Sequence, residues 1–82
     1  MNNARRKQIK EVERDIKYII DKIQIIKTKL ERVYDSEQDA FDSMPENLQY
    51  SRNGENSEMA IDSMSDAIDN LDDAIDNLSD IF

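Results

Sequence analysis

Apolar residues in the first half of the chain recur at Ile9, Val12, Ile16, Ile19, Ile23, Ile26, Leu30 and Val33, in alternating steps of three and four. Steps of that kind, averaging about 3.5 residues, are the signature of a coiled-coil seam and predict one long amphipathic helix. Continuing the register places Glu37, Ala40 and Met44 on the same line, so the seam weakens after Val33 while the helix runs on to about residue 43. The second half carries a repeat of seven: AIDSMSD at 60–66, AIDNLDD at 67–73 and AIDNLSD at 74–80. This predicts a second coiled-coil helix, with Ile61, Met64, Ile68, Leu71, Ile75, Leu78 and Phe82 on its seam. Ala60, Ala67 and Ala74 flank that seam with side chains small enough for a neighbouring helix to come close.

Between the two patterns lies Ser43-Met44-Pro45-Glu46-Asn47, followed by the polar stretch Ser51-Arg52-Asn53-Gly54. Proline lacks a backbone donor and restrains the residue before it, so the helix is expected to break here. The reading is one domain, 1–82: helix over 3–43, connection over 44–54, helix over 55–81. Asn53, Asn56 and Ser57 are the candidate caps of the second helix, and Leu48 and Tyr50 are expected to tuck the connection over the end of the seam. So short a link makes the helices antiparallel. The fold class is therefore all-α, an antiparallel two-helix coiled-coil hairpin. Counting back from the loop sets Phe82 near Asp15 and leaves Arg5, Arg6, Lys7 and Lys10 projecting past the paired region. Asp76 and Asp80 then lie at a helix C-terminus, where the macrodipole disfavours anions, with Arg14, Lys17 or Lys22 placed to offset them.

The apolar stripe of the first helix is wider than one partner helix covers. Ile20, Tyr34 and Phe41 extend it on one flank, and Tyr18 and Ile25 on the other. A homodimer forming a four-helix bundle is the simplest remedy, although a foreign partner could cover the same residues.

Composition narrows the chemistry. One Gly and one Pro argue against a β-rich fold, and the absence of Cys and His removes disulfides, the usual zinc or iron ligand sets and Ser/His or Cys/His nucleophile pairs. There is no D-x-D-x-D-G calcium loop, and exposed Asp on a helix lacks the desolvation that equips a catalytic acid. No enzyme activity, cofactor or metal is expected. Uncharged stretches fall far short of the roughly 20 apolar residues of a spanning helix, and residues 1–7 lead into no signal-peptide core. A cytoplasmic chain that does not enter membranes is expected.

The net charge of −8 hides a polarity: residues 1–33 hold ten Lys/Arg against five Asp/Glu, whereas 34–82 hold one against fourteen. Asp62, Asp66, Asp69, Asp73, Asp76 and Asp80 step by four and three along the face opposite the second seam, with Asp72 beside them. Asp is a mediocre helix former, and a face evolved for solubility alone would more naturally use Glu. Such a ridge can imitate a run of phosphates and occupy a basic, nucleic-acid-binding cleft. The plainer reading is a solvated coiled-coil face. The basic leader Arg5-Arg6-Lys7 with Lys10, Arg14 and Lys17 is interrupted by Glu11, Glu13 and Asp15, which fits pairing with the Asp ridge better than direct nucleic-acid or membrane binding. Tyr34, Phe41, Met44 and Tyr50 near the loop are either binding anchors or the plug that closes the bundle.

The opening Met-Asn-Asn-Ala-Arg-Arg-Lys-Gln-Ile, the Met44-Pro45-Glu46-Asn47-Leu48-Gln49 loop and the Ala-Ile-Asp-x-Leu-x-Asp repeats together resemble small acidic helical-hairpin proteins of Gram-positive bacteriophages and mobile elements. The resemblance spans the whole chain; the loop hexapeptide is its most specific part. The chain departs from that family in being Ile-rich in its first helix and Asp-rich rather than Glu-rich in its second. The resemblance implies a phage context, in which small acidic proteins act as stoichiometric inhibitors of host or defence proteins. The expected role is therefore non-catalytic binding of a host protein with a basic surface. A self-assembling scaffold is the alternative, and an oligomer that sequesters a small signalling ligand the third.

Overall fold

The computed structural model describes residues 2–82. It holds three helices, α1 (Asn3–Asp42), α2 (Glu46–Gln49) and α3 (Arg52–Ser79), arranged as a rod of 67 × 16 × 15 Å. Helix α1 is capped by Asn2, whose Oδ1 accepts the Arg5 N–H at 2.7 Å. It ends three residues before Pro45, with the Ser43 N–H donating to the Asp39 carbonyl and the Met44 N–H to that of Phe41.

The connection is more ordered than its polar sequence suggested. Pro45 caps the single turn of α2, and its carbonyl accepts the N–H groups of Leu48 and Gln49 at 2.8 and 3.1 Å. The Gln49 amide folds back and donates to the Phe41 and Met44 carbonyls, both at 3.3 Å, satisfying orphan acceptors at the end of α1. The tucking residue is thus the polar Gln49; Leu48 and Tyr50, expected to do this, are exposed, Tyr50 at 76%. Helix α3 also starts three residues earlier than expected. Ser51 is its cap, accepting the Gly54 N–H at 3.2 Å, in place of Asn53, Asn56 or Ser57. Gly54 is not a breaker but a buried residue of the first turn of α3, packed against the backbone of α2.

Helices α1 and α3 are antiparallel. Ser57 donates to Glu37 Oε1 at 2.6 Å near the loop, Lys27 pairs with Asp72 midway, and Ile16 and Ile20 share a hollow of about 220 Å³ with Leu78 and Phe82 at the far end. Glu13 and Lys17 line the same hollow, so the chain from Leu78 to Phe82 lies against the 13–20 segment of α1, the region to which the count from the loop assigned it. Arg5, Arg6, Lys7 and Lys10 lie beyond this segment and are exposed.

The seam of α3 is the predicted one. Ile61 is buried, and Met64, Ile68, Leu71, Ile75 and Leu78 are half-buried; only the terminal Phe82 is exposed. The seam of α1 is rotated. Its half-buried residues are Ile9, Ile16, Ile23, Leu30 and Glu37 together with Glu13, Ile20, Lys27, Tyr34 and Phe41, with Gln38 beside them and Met44 half-buried just past the helix end. The other half of the predicted seam, Val12, Ile19, Ile26 and Val33, is 45–55% exposed. In the last two heptads Tyr34 and Phe41 offer far more apolar area than Val33 and Ala40, and in the middle Lys27 finds Asp72. At Ile19 and Ile20 isoleucine stands at both alternatives, so rotation there costs little, whereas one heptad earlier it half-buries Glu13 in place of Val12.

Candidate functional site

Two surfaces of the hairpin stand out. The first is the acidic ridge on α3. Asp62, Asp66, Asp69, Asp73, Asp76 and Asp80 are all exposed and extend for roughly 27 Å at 1.5 Å per residue. Asp72 does not belong with them. It is half-buried and paired with Lys27, which also reaches Glu31 at 3.5 Å. This bridge ties α1 to α3 at a position that would otherwise be apolar, a device that fixes register. The expected compensation of Asp76 and Asp80 is not formed: Lys17 pairs with Glu13 at 3.3 Å, and Lys22 sits 5.5 Å from the Tyr18 ring centroid. Among the described residues neither Asp73, Asp76 nor Asp80 has an ion-pair partner within 4 Å.

The hydrogen bond that Lys27 donates to the Asp72 carboxylate holds its ammonium above its ordinary value of 10.5, against partial desolvation, with the charges of Asp72 and Glu31 adding to the effect. A pKa raised on folding contributes stability that is fully present below 10.5 and lost as pH rises through the folded value. Urea unfolding at pH 9 and pH 12 should therefore show a larger loss for the wild-type chain than for Lys27→Met. Equal losses would show that the bridge is inert.

The second surface is apolar and spans both helices. In an antiparallel pair, flanking positions of the same kind lie on the same side of the contact. On one side are Val12, Ile19, Ile26, Val33 and Ala40 of α1 next to Ala60, Ala67 and Ala74 of the α3 repeat, with Ile81 just beyond the helix end. On the other are Lys10, Lys17, Gln24, Glu31 and Gln38 next to Ser65, Asp72 and Ser79. The hairpin thus has one wholly apolar face and one wholly polar face. The steps of three and four had pointed to the apolar row of α1; its alignment with the alanine row of α3 needed the register. Of the residues expected to form an oligomer surface, Tyr18, Ile25 and Tyr50 are exposed, whereas Ile20, Tyr34, Phe41 and Met44 are half-buried, Ile20 against the end of α3. Besides Tyr18 and Ile25, the row left open on α1 is Val12, Ile19, Ile26 and Val33.

Among the described residues no three carboxylates converge in a way that could hold a metal ion, and no helix is long and apolar enough to cross a membrane. Comparison with family models, with curated proteins and with solved structures finds no match for this chain.

Proposed function

We propose that the protein is a non-catalytic binding module of the bacterial cytoplasm that works as a dimeric four-helix bundle. It presents the acidic face of α3 to a basic, nucleic-acid-binding surface of a host protein. The observation that carries this reading is the exposure of six aspartates at regular helical spacing without ion-pair partners among the described residues. Regular negative charge is what Lys- and Arg-lined clefts recognise in a phosphate backbone, and a helix fixes that charge without base-specific contacts. The phage context, and with it the role of a stoichiometric inhibitor of a host or defence protein, rests on the sequence resemblance. A self-assembling scaffold is the second reading, favoured by the continuous apolar face.

The test separates the two. Immobilised chain should capture basic proteins from a Gram-positive lysate, release them to competing duplex DNA, and lose them when Asp62, Asp69 and Asp76 are changed to Lys. Helicity should be unchanged, because all three side chains are exposed. If the triple variant captures the same proteins as the wild type, the ridge is only a solvated face and the scaffold reading takes over.

A further inference from the structure

The apolar face and the unpaired ends of the acidic ridge point to the same occupant. We propose that a second copy of the chain covers the Val12–Val33 face about a twofold axis parallel to the helices, so that α1 of each copy lies on α3 of the other. This rests on the dimer of the preceding reading and specifies its contact, which lies on a different flank from Ile20, Tyr34 and Phe41.

Size is the first argument. From Val12 to Ala40 the face runs about 40 Å, and two adjacent helices make it about 20 Å wide. That is roughly 800 Å² per copy, the scale of a stable protein contact. Shape is the second. A row of Val and Ile on α1 meets a row of Ala on α3, so large side chains face small ones and the helices approach closely. The other twofold arrangement, with the axis across the helices, would stack Ile on Ile and Ala on Ala, crowding one half of the contact and leaving the other loose.

Charge is the third argument, and it separates the two arrangements. Lys22 and Lys29 border the apolar face on the outer side of α1, and both are exposed. A parallel axis keeps each residue at its own height along the rod. The register set by Lys27–Asp72 then brings Lys22 to the level of Asn77 of the second copy, between Asp73 and Asp80, and Lys29 to the level of Asn70, between Asp66 and Asp73. Carboxylates left unpartnered within the hairpin acquire cations, including Asp80 at the acid-rich C-terminus of α3. The crossed axis would instead set the lysine borders of the two α1 helices against each other. Asp62, Asp69 and Asp76 stay clear of the contact and open to another partner.

Because the chain has no cysteine, engineered thiols report the geometry directly. Ile26 and Ala74 lie at nearly the same height, so Ile26→Cys and Ala74→Cys chains, one lengthened by a tag, should form a mixed disulfide under mild oxidation. Neither variant alone should cross-link. Light scattering should give a dimer for the wild type, and Ile19→Gln with Ile26→Gln should weaken association by roughly 100-fold or more while leaving helical circular dichroism intact. A monomeric wild type overturns both the dimer reading and this contact. A wild-type dimer that survives the Gln pair, that cross-links through Ile26→Cys alone, or that yields no mixed disulfide overturns the contact and leaves the dimer reading standing.

Discussion

Gly54→Ala will destabilise the hairpin, by roughly 1–3 kcal/mol, even though alanine is the better helix former by about 1 kcal/mol. The residue lies inside the first turn of α3, and a Cβ there would meet the Gln49 carbonyl oxygen at 2.3 Å and that of Leu48 at 2.5 Å. Both are backbone atoms, so no side chain can swing aside. Relief requires moving α2 away from α3, which pulls Gln49 from the Phe41 and Met44 carbonyls and disturbs the Ser51 cap. Urea unfolding at fixed protein concentration measures the effect, and a wild-type or higher midpoint would mean that α2 does not pack here. A Gly in an exposed helix turn would respond with the opposite sign, so the experiment reports the close approach itself.

Ile61→Ala should cost still more, roughly 2–5 kcal/mol. At 6% exposure Ile61 is the one buried hydrophobic side chain among the described residues, and it lies on the α3 seam near the loop end of the hairpin. A rod one helix pair thick has no deeper layer from which to refill the gap, so the space left by the isoleucine stays open. The same truncation at Val33, on the open face of α1, should cost much less in a monomer and should act mainly on self-association. Comparing the two variants across a range of protein concentrations separates them: the Ile61 deficit persists at all concentrations, whereas the Val33 deficit grows with concentration as the dimer's contribution to the wild type increases. Equal deficits would place both residues in one core.

The lengths of α1 and α3, their antiparallel pairing, the seam of α3 and the segment of α1 that Phe82 lies against were legible from the heptad steps, because spacing and a short link fix them almost without reference to packing. The loop was legible as a break but not as a structure. Gly54 in a polar stretch reads as a turn, and only the approach of two backbones makes it a helical packing residue; Gln49 looks like loop polarity until the orphan carbonyls of α1 are located. The acidic ridge was legible as a row, but removing Asp72 from it required knowing that Lys27 lies across from it.

The apolar width of α1 is a property of the sequence alone; which part of that width faces α3 is not. Ile16-Ile19-Ile23-Ile26 and Ile16-Ile20-Ile23-Lys27 both advance by three and four, and in a one-dimensional pattern the unbroken isoleucines win. In three dimensions the choice is made elsewhere along the same rigid rod, by the area of Tyr34 and Phe41 and by the Lys27–Asp72 bridge, since a helix turns as a unit. The sequence therefore determined that an apolar strip would be left over. Tertiary packing decided that the strip is Val12, Ile19, Ile26 and Val33, because burial is shared out between whole helix faces rather than residue by residue.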